Sequence, residues 1–143
     1  MPKLEKLSYY VNPQVAVVPV SAGTGAITPV AVDASAGFDR AQFILALGAF
    51  GTNGGVDCEI TESATAGGTY TLISSSGMTA VTAAAANTLV IIDVPVNTAK
   101  PYLKLRGTVS TAAVALSAVC NVYNGTRNLG TALGDVTEEV FKA

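Results

Sequence analysis

Histidine and tryptophan are absent from this chain, and charge is scarce. Without histidine there is no side chain that ordinarily titrates near neutral pH, and the commonest general base and metal ligand are missing. Ser–His–Asp and Cys–His catalytic arrangements are therefore excluded. Charged residues make up 13% of the 143, where an average domain has about 25%. A surface built from Ala, Ser, Thr, Gly and Asn loses little when water is removed, because no ion has to be desolvated. Such a surface suits contact with other protein chains.

The few charges are also unevenly spread. None lies between Lys6 and Asp33, between Glu62 and Asp93, or between Arg106 and Arg127. These runs are interrupted by Gly67, Gly68 and Ser74 to Gly77, or by Ser110, Thr111, Ser117 and Asn121, so they do not read as the roughly 20 apolar residues of a membrane span. The start, where Lys3 and Lys6 precede Ser8, Tyr9, Tyr10, Asn12 and Pro13, lacks the apolar stretch of a signal peptide. Net charge is −2 with no basic block, which argues against a nucleic-acid partner.

Only two cysteines occur, Cys58 and Cys120, too few and too far apart for a zinc site. They fall at inward positions of strand-like patterns. Buried free thiols are the simpler reading, with a disulfide between them as the alternative. No cofactor motif is found: Gly23-Thr24-Gly25 and Gly51 to Gly55 match neither phosphate-binding pattern and read as turns. Asp57 and Glu59 share one strand face, with Glu62 close by, and read as a solvated face rather than the opposed carboxylates of a glycosidase. Lys104 and Arg106 project from one face near Tyr102. No catalytic or metal-binding residue is assigned, and the chain reads as a non-enzyme.

What is present is a period of two. Alternation predicts strands over Ile27–Asp33, Phe38–Phe50, Val56–Ser63, Thr69–Ser74, Asn87–Val94, Tyr102–Ser110 and Ala112–Tyr123, with Val56–Ser63 and Thr69–Ser74 forming a hairpin. The expected fold is all-β: an antiparallel sandwich or barrel of about seven strands. Its expected core is Phe43, Leu45, Val56, Cys58, Ile60, Leu72, Ile91, Leu105, Leu116 and Cys120. Residues 1–28, with Pro2, Pro13 and Pro19, read as an extended N-terminal arm in which Val15–Val20 could serve as a short edge strand. Residues 29–130 form the β domain. Residues 131–143 are a tail, where Asp135-Val136-Thr137-Glu138 resembles a capping pattern for a short helical turn. Within the arm, Leu4, Leu7, Tyr9, Tyr10 and Val11 are the expected partner contacts, reaching either a sister copy or another surface.

The strand Phe38 to Leu45, the hairpin from Ile60 to Tyr70, the strand Tyr102 to Arg106 and the run into Asn124-Gly125-Thr126-Arg127 together resemble small β-rich virion proteins of tailed bacteriophages, especially capsid decoration (cement) proteins. That resemblance implies a homotrimer on the outer capsid surface that bridges major capsid protein subunits, in a virion assembled in the host cytoplasm. Head–tail connector or tail structural proteins share the style and stay open as alternatives. A carbohydrate-binding adhesive sandwich is a further alternative, disfavoured by the absent tryptophan and by aromatics at 6%.

Overall fold

A computed structural model describes residues 11–124 and the backbone of 136–141. The chain begins with β1 (Val11–Ala22), then the short segments β2 (Gly25–Ala26) and β3 (Val32–Asp33). The long strands β4 (Arg40–Phe50) and β5 (Gly55–Ser63) follow, then the short β6 (Thr71–Leu72) and β7 (Val81–Thr82). A 3-10 turn, Ala83–Ala85, leads into β8 (Thr88–Pro95), β9 (Tyr102–Ser110), β10 (Val114–Tyr123) and β11 (Val136–Phe141). These strands form two sheets packed face to face. The five-stranded sheet has the order β1-β10-β4-β8-β11; the six-stranded one is centred on the β5–β9 ribbon, with β2 and β3 along β9 and β6 and β7 along β5. Pairing is antiparallel except between β8 and β11.

Alternation explains the packing. Ala41, Phe43, Leu45 and Leu47 of β4 point inward, with Val90, Ile92 and Val94 of β8 and Leu116, Ala118, Cys120 and Val122 of β10 beside them. Val56, Cys58 and Ile60 of β5 and Leu103, Leu105 and Val109 of β9 complete the same cluster from the other sheet. Gly107 lies opposite Cys58, where an added Cβ would sit 2.7 Å from the Cys58 sulfur and 2.8 Å from the Ile27 side chain. Close approach of the two strands at this point requires glycine. The turn between β4 and β5 holds Asn53 at φ +59, which asparagine tolerates. At the Asp33 turn, hydrogen bonding from the Ser35 side chain and then from the Ser35 amide, which a side-chain oxygen of Asp33 accepts at 2.8 Å, holds the Asp33 pKa below its usual value.

The sandwich expected from alternation is thus present as two open sheets; the closed barrel is not, because β1 and β11, the outer strands of the five-stranded sheet, do not pair with each other among the described residues. Eleven strand segments occur among the described residues rather than about seven. Ile27–Asp33 yields only the two-residue β3, and Thr69–Ser74 only the two-residue β6, although the latter does pair with β5 as a hairpin (Thr61 with Leu72). Val11–Ala22, placed by its prolines in an arm, instead pairs with β10 along its whole length, from Val11 opposite Tyr123 to Ala22 opposite Val114. Two register shifts, between Val15 and Val17 and between Val17 and Val20, break the period of two that would have disclosed this strand. At the other end, the capping-like pattern is overridden. Val136–Phe141 is a strand parallel to β8, not a helical turn. Met1–Tyr10, residues 125–135 and 142–143 lie outside the described residues.

Of the ten expected core residues, nine are buried. Leu72 is 48% exposed, since β6 is too short to be carried inward. Ile91 is buried but does not belong to the inter-sheet cluster; it lies on the opposite face of β8 from Val90 and Ile92. Replacing Leu45 or Leu116, both in the inter-sheet cluster, by alanine is expected to destabilise the protein by about 2–5 kcal/mol. Chemical denaturation checks this, and unchanged midpoints for both variants would contradict the packing described here.

Candidate interaction surface

The outward faces of the two sheets differ in chemistry. On the six-stranded sheet, Asp57 and Glu59 of β5 stand beside Thr108 and Arg106 of β9. Glu59 and Arg106 are directly opposed and form an ion pair, with Nε of Arg106 donating to the carboxylate at 2.7 Å. Lys104 places its ammonium 4.3 Å from the centre of the Tyr70 ring, and Lys100 lies 3.8 Å from Glu62. This is a solvated, charge-paired face, as the alternation of β5 suggested. The Lys104–Arg106 pair is engaged by Tyr70 and Glu59.

The outward face of the five-stranded sheet reads, row by row across β1, β10, β4 and β8, as follows. Val11, Tyr123, Arg40 and Pro95 make the first row. Pro13, Asn121, Gln42 and Asp93 make the second, and Val15, Val119, Ile44 and Ile91 the third. The last is an aliphatic stripe running from an exposed end, Val15 at 49% and Val119 at 43%, to a buried one at Ile91. Val18 and Val20 on β1, and Val30 beside it, are further exposed apolar residues. Next to the stripe lies a shallow depression of ≈520 Å³ lined by Val20, Ala46, Gly48, Ala115 and Ser117. Its origin is local. Small side chains meet here where the β4–β10 register shifts between Val114 and Leu116.

On β1, β4, β8 and β10 this face holds one ion pair, Arg40 with Asp93, whose Arg40 Nη2 to Asp93 Oδ1 distance is 2.6 Å. Tyr123 donates its hydroxyl to the other Asp93 oxygen. Three strands thus converge on one carboxylate that is 2% exposed. Sequence reading did not single out this cluster, because its members are 53 and 30 residues apart. A signal was present: Asp93 interrupts the run Leu89-Val90-Ile91-Ile92-Asp93-Val94. A carboxylate inside a β-branched strand has to be paired.

Of the partner-contact residues proposed from sequence, Val11 is half-buried at the start of β1, paired with Tyr123. Leu4, Leu7, Tyr9 and Tyr10 lie outside the described residues. Cys58 and Cys120 are both buried free thiols. No protein-family model matches this chain, and no curated protein is significantly similar to it in sequence.

Burial pushes the Cys58 thiol up to about 12, with the carboxylates of Asp57 and Glu59 adding to it, and raises Cys120 as well. Reactive cysteines require thiolate character and access. Neither thiol is therefore expected to react with a disulfide reagent at neutral pH in the native state, and both should react after denaturation. Rapid modification of the native protein would contradict this.

Tyr123 is raised from 10.0 to about 12, first by burial and then by the Asp93 carboxylate it bonds. Its neutral form is thereby favoured in the folded state. The unfolded chain then loses this proton at lower pH than the native protein does. The stabilisation is complete below about pH 10 and is lost as pH rises towards about 12. Denaturation midpoints across that window should fall with pH, and Tyr123→Phe should flatten part of the fall.

Proposed function

We propose that this chain is a structural virion subunit: a capsid decoration (cement) protein, homotrimeric, that binds the outer capsid surface and bridges major capsid protein subunits. The observation that carries the reading is the segregation of charge between the two sheet faces. The β5–β9 face is suited to water. The β1–β10 half of the other face is uncharged, carries a valine stripe, and has its one neighbouring ion pair already neutralised within the sheet. Removing water from that half strips no isolated ion, so protein contact there is favoured by apolar burial at about 25 cal/mol per Å². Contiguous exposed apolar surface of this kind marks interaction sites. The resemblance of the strand and hairpin sequences to phage decoration proteins supplies the partner class, and the sandwich supplies a rigid platform for it.

A charge placed on the stripe tests the reading. Val119→Glu lies at an exposed outward position of β10 and should leave the circular dichroism spectrum unchanged. It should weaken binding to undecorated capsids by about tenfold or more, which is about 1.4 kcal/mol. Asp57→Ser, on the opposite sheet, should bind as the wild type does. Equal binding by all three proteins, or no capsid binding by the wild type, would overturn the proposal.

A further inference from the structure

The corner that joins β4 to β5 contains an Asn-Gly pair, Asn53 and Gly54. Such a pair carries a reaction of its own. Glycine has no side chain to shield its amide nitrogen, so that nitrogen can reach the carboxamide of the preceding asparagine. In this reaction the Gly54 nitrogen would form a bond to Cγ of Asn53 and give its proton to water. The Cγ–Nδ2 bond would break and ammonia would leave. Water then opens the resulting five-membered imide. Cleavage between the nitrogen and Cγ leaves aspartate, with the main chain as before. Cleavage between the nitrogen and the main-chain carbonyl leaves isoaspartate, whose main chain runs through Cβ and Cγ and is longer by a single atom. The overall change is hydrolysis of an amide, and nothing is oxidised or reduced.

The closed corner withholds the attacking atom. The Gly54 amide donates to the Gly51 carbonyl at 2.9 Å, and with Asn53 at φ +59 this is the pattern of a type II turn. Gly54 is buried while Asn53 is exposed. The Gly51 amide donates to the Ala113 carbonyl at 2.8 Å, which ties the turn to the corner between β9 and β10. Attack needs the Gly54 nitrogen released from its hydrogen bond and its proton in contact with water. Neither condition holds in the closed turn. The facing corner offers little slack. There Thr111 lies at φ +68, and the Ala112 amide donates to the Ser110 carbonyl at 2.8 Å, a three-residue turn that is strained for a β-branched residue. Such backbone persists where the surrounding packing holds it. A Cβ added to Gly54 would lie 3.1 Å from the Gly51 carbonyl oxygen, 3.2 Å from that of Ala112 and 3.3 Å from the Val114 side chain, so Gly54 is closely confined.

We propose that Asn53 is a spontaneous modification site gated by the β4–β5 corner: the closed corner suppresses imide formation, opening permits it, and isoaspartate at this position keeps the corner from closing again. Aspartate keeps the original backbone path and places its carboxylate in solvent, so the corner accepts it. Isoaspartate lengthens the main chain immediately before Gly54, where the confinement is tightest. β4 belongs to the five-stranded sheet and β5 to the six-stranded one, so this corner is a covalent link between the two sheets. Local openings of folded chains are ordinarily reversible. The reaction turns such an opening into a permanent loosening at this end of the sandwich. The proposal concerns the chemical persistence of the chain and does not depend on the assembly reading.

Mass spectrometry of the full chain tests the proposal. Wild-type protein is incubated at mildly alkaline pH, native in one sample and in denaturant in another. Conversion of Asn53 is followed after digestion, with fragmentation locating the change and isoaspartyl methyltransferase labelling separating isoaspartate from aspartate. The native protein should convert at Asn53 at least about tenfold more slowly than the denatured one. Gly51→Ala would set a Cβ 2.8 Å from that of Ala112, which wedges the corner and should speed conversion in the folded state. Denaturation midpoints then separate the products. Asn53→Asp should unfold at the wild-type midpoint, whereas chains carrying isoaspartate at 53, returned from denaturant, should unfold at a lower one. Equal conversion rates in the native and denatured samples overturn the gating, and the wild-type protein decides this without any variant. A folded Gly51→Ala protein that converts no faster than wild type overturns it as well. An isoaspartate form with the wild-type midpoint overturns the claim that the corner cannot close again.

Discussion

The structure depends on one layer of burial, in which the inward side chains of β4, β8 and β10 meet those of β5 and β9. Phe43, Leu45, Ile60, Ile92, Leu103 and Leu105 are all fully buried in it. Because strand side chains alternate, fixing this layer fixes the opposite faces as well: a one-residue slip in any of these strands would exchange its inner and outer sets. Gly107 against Cys58 tightens the constraint, since one register alone places the missing side chain where the sulfur needs room. The outward rows of both sheets are consequences of this layer, and so is the contrast in their charge.

That contrast has a simple origin in a chain with few ions. Asp57 and Glu59 on β5 and Lys104 and Arg106 on β9 all fall at outward positions of adjacent strands in the same sheet, where Glu59 and Arg106 are directly opposed and form an ion pair while Asp57 stands opposite Thr108 and Lys104 opposite Thr61. Nothing comparable remains for β1 and β10, which contain no charged residue. The Arg40–Asp93–Tyr123 cluster then marks a transition on the five-stranded sheet. Its carboxylate is buried at the β8 side, while the stripe one row away becomes exposed towards β1. A buried ion pair is weak evidence of stability in itself, but removing one partner leaves the other uncompensated. The cluster therefore ties β4, β8 and β10 together at one end of the face.

How far the sequence discloses this depends on whether a local period survives in each element. β5, β9 and β10 alternate without interruption, and their inward residues were readable directly. The β5–β6 hairpin followed from Gly67 and Gly68 between two alternating runs, although Leu72 faces solvent because β6 extends for only two residues. β1 was hidden by Pro13 and Pro19 together with two register shifts, which put Ala16 and Val17 side by side in the core and defeat any template of period two. β11 was hidden by a different competition: a local capping pattern pointed to a helical turn, while pairing with the edge of β8 supplies the backbone hydrogen bonds of a strand. The ion cluster on the outward face is a long-range product of sheet order, and only the misplaced-looking Asp93 announced it.

The edge formed by β1 is poorly suited to strand addition. A free edge ordinarily invites another strand through its unpaired backbone groups. Here Pro13 and Pro19 remove two donors from β1. The Ala16 carbonyl is taken by the Val30 amide at 2.8 Å, and Gln14 bonds the backbone of Asp33 through both its amide oxygen and its amide nitrogen. The segment from Thr28 to Asp33 therefore occupies the middle of the edge, and proline interrupts what lies on either side. An incoming chain finds no continuous ladder along β1. What it does find, on the face beside that edge, is apolar side chains without charge and a depression among small residues. Any contact made on that face would rest on side-chain burial and shape, the form of contact open to a chain with so few ions to place.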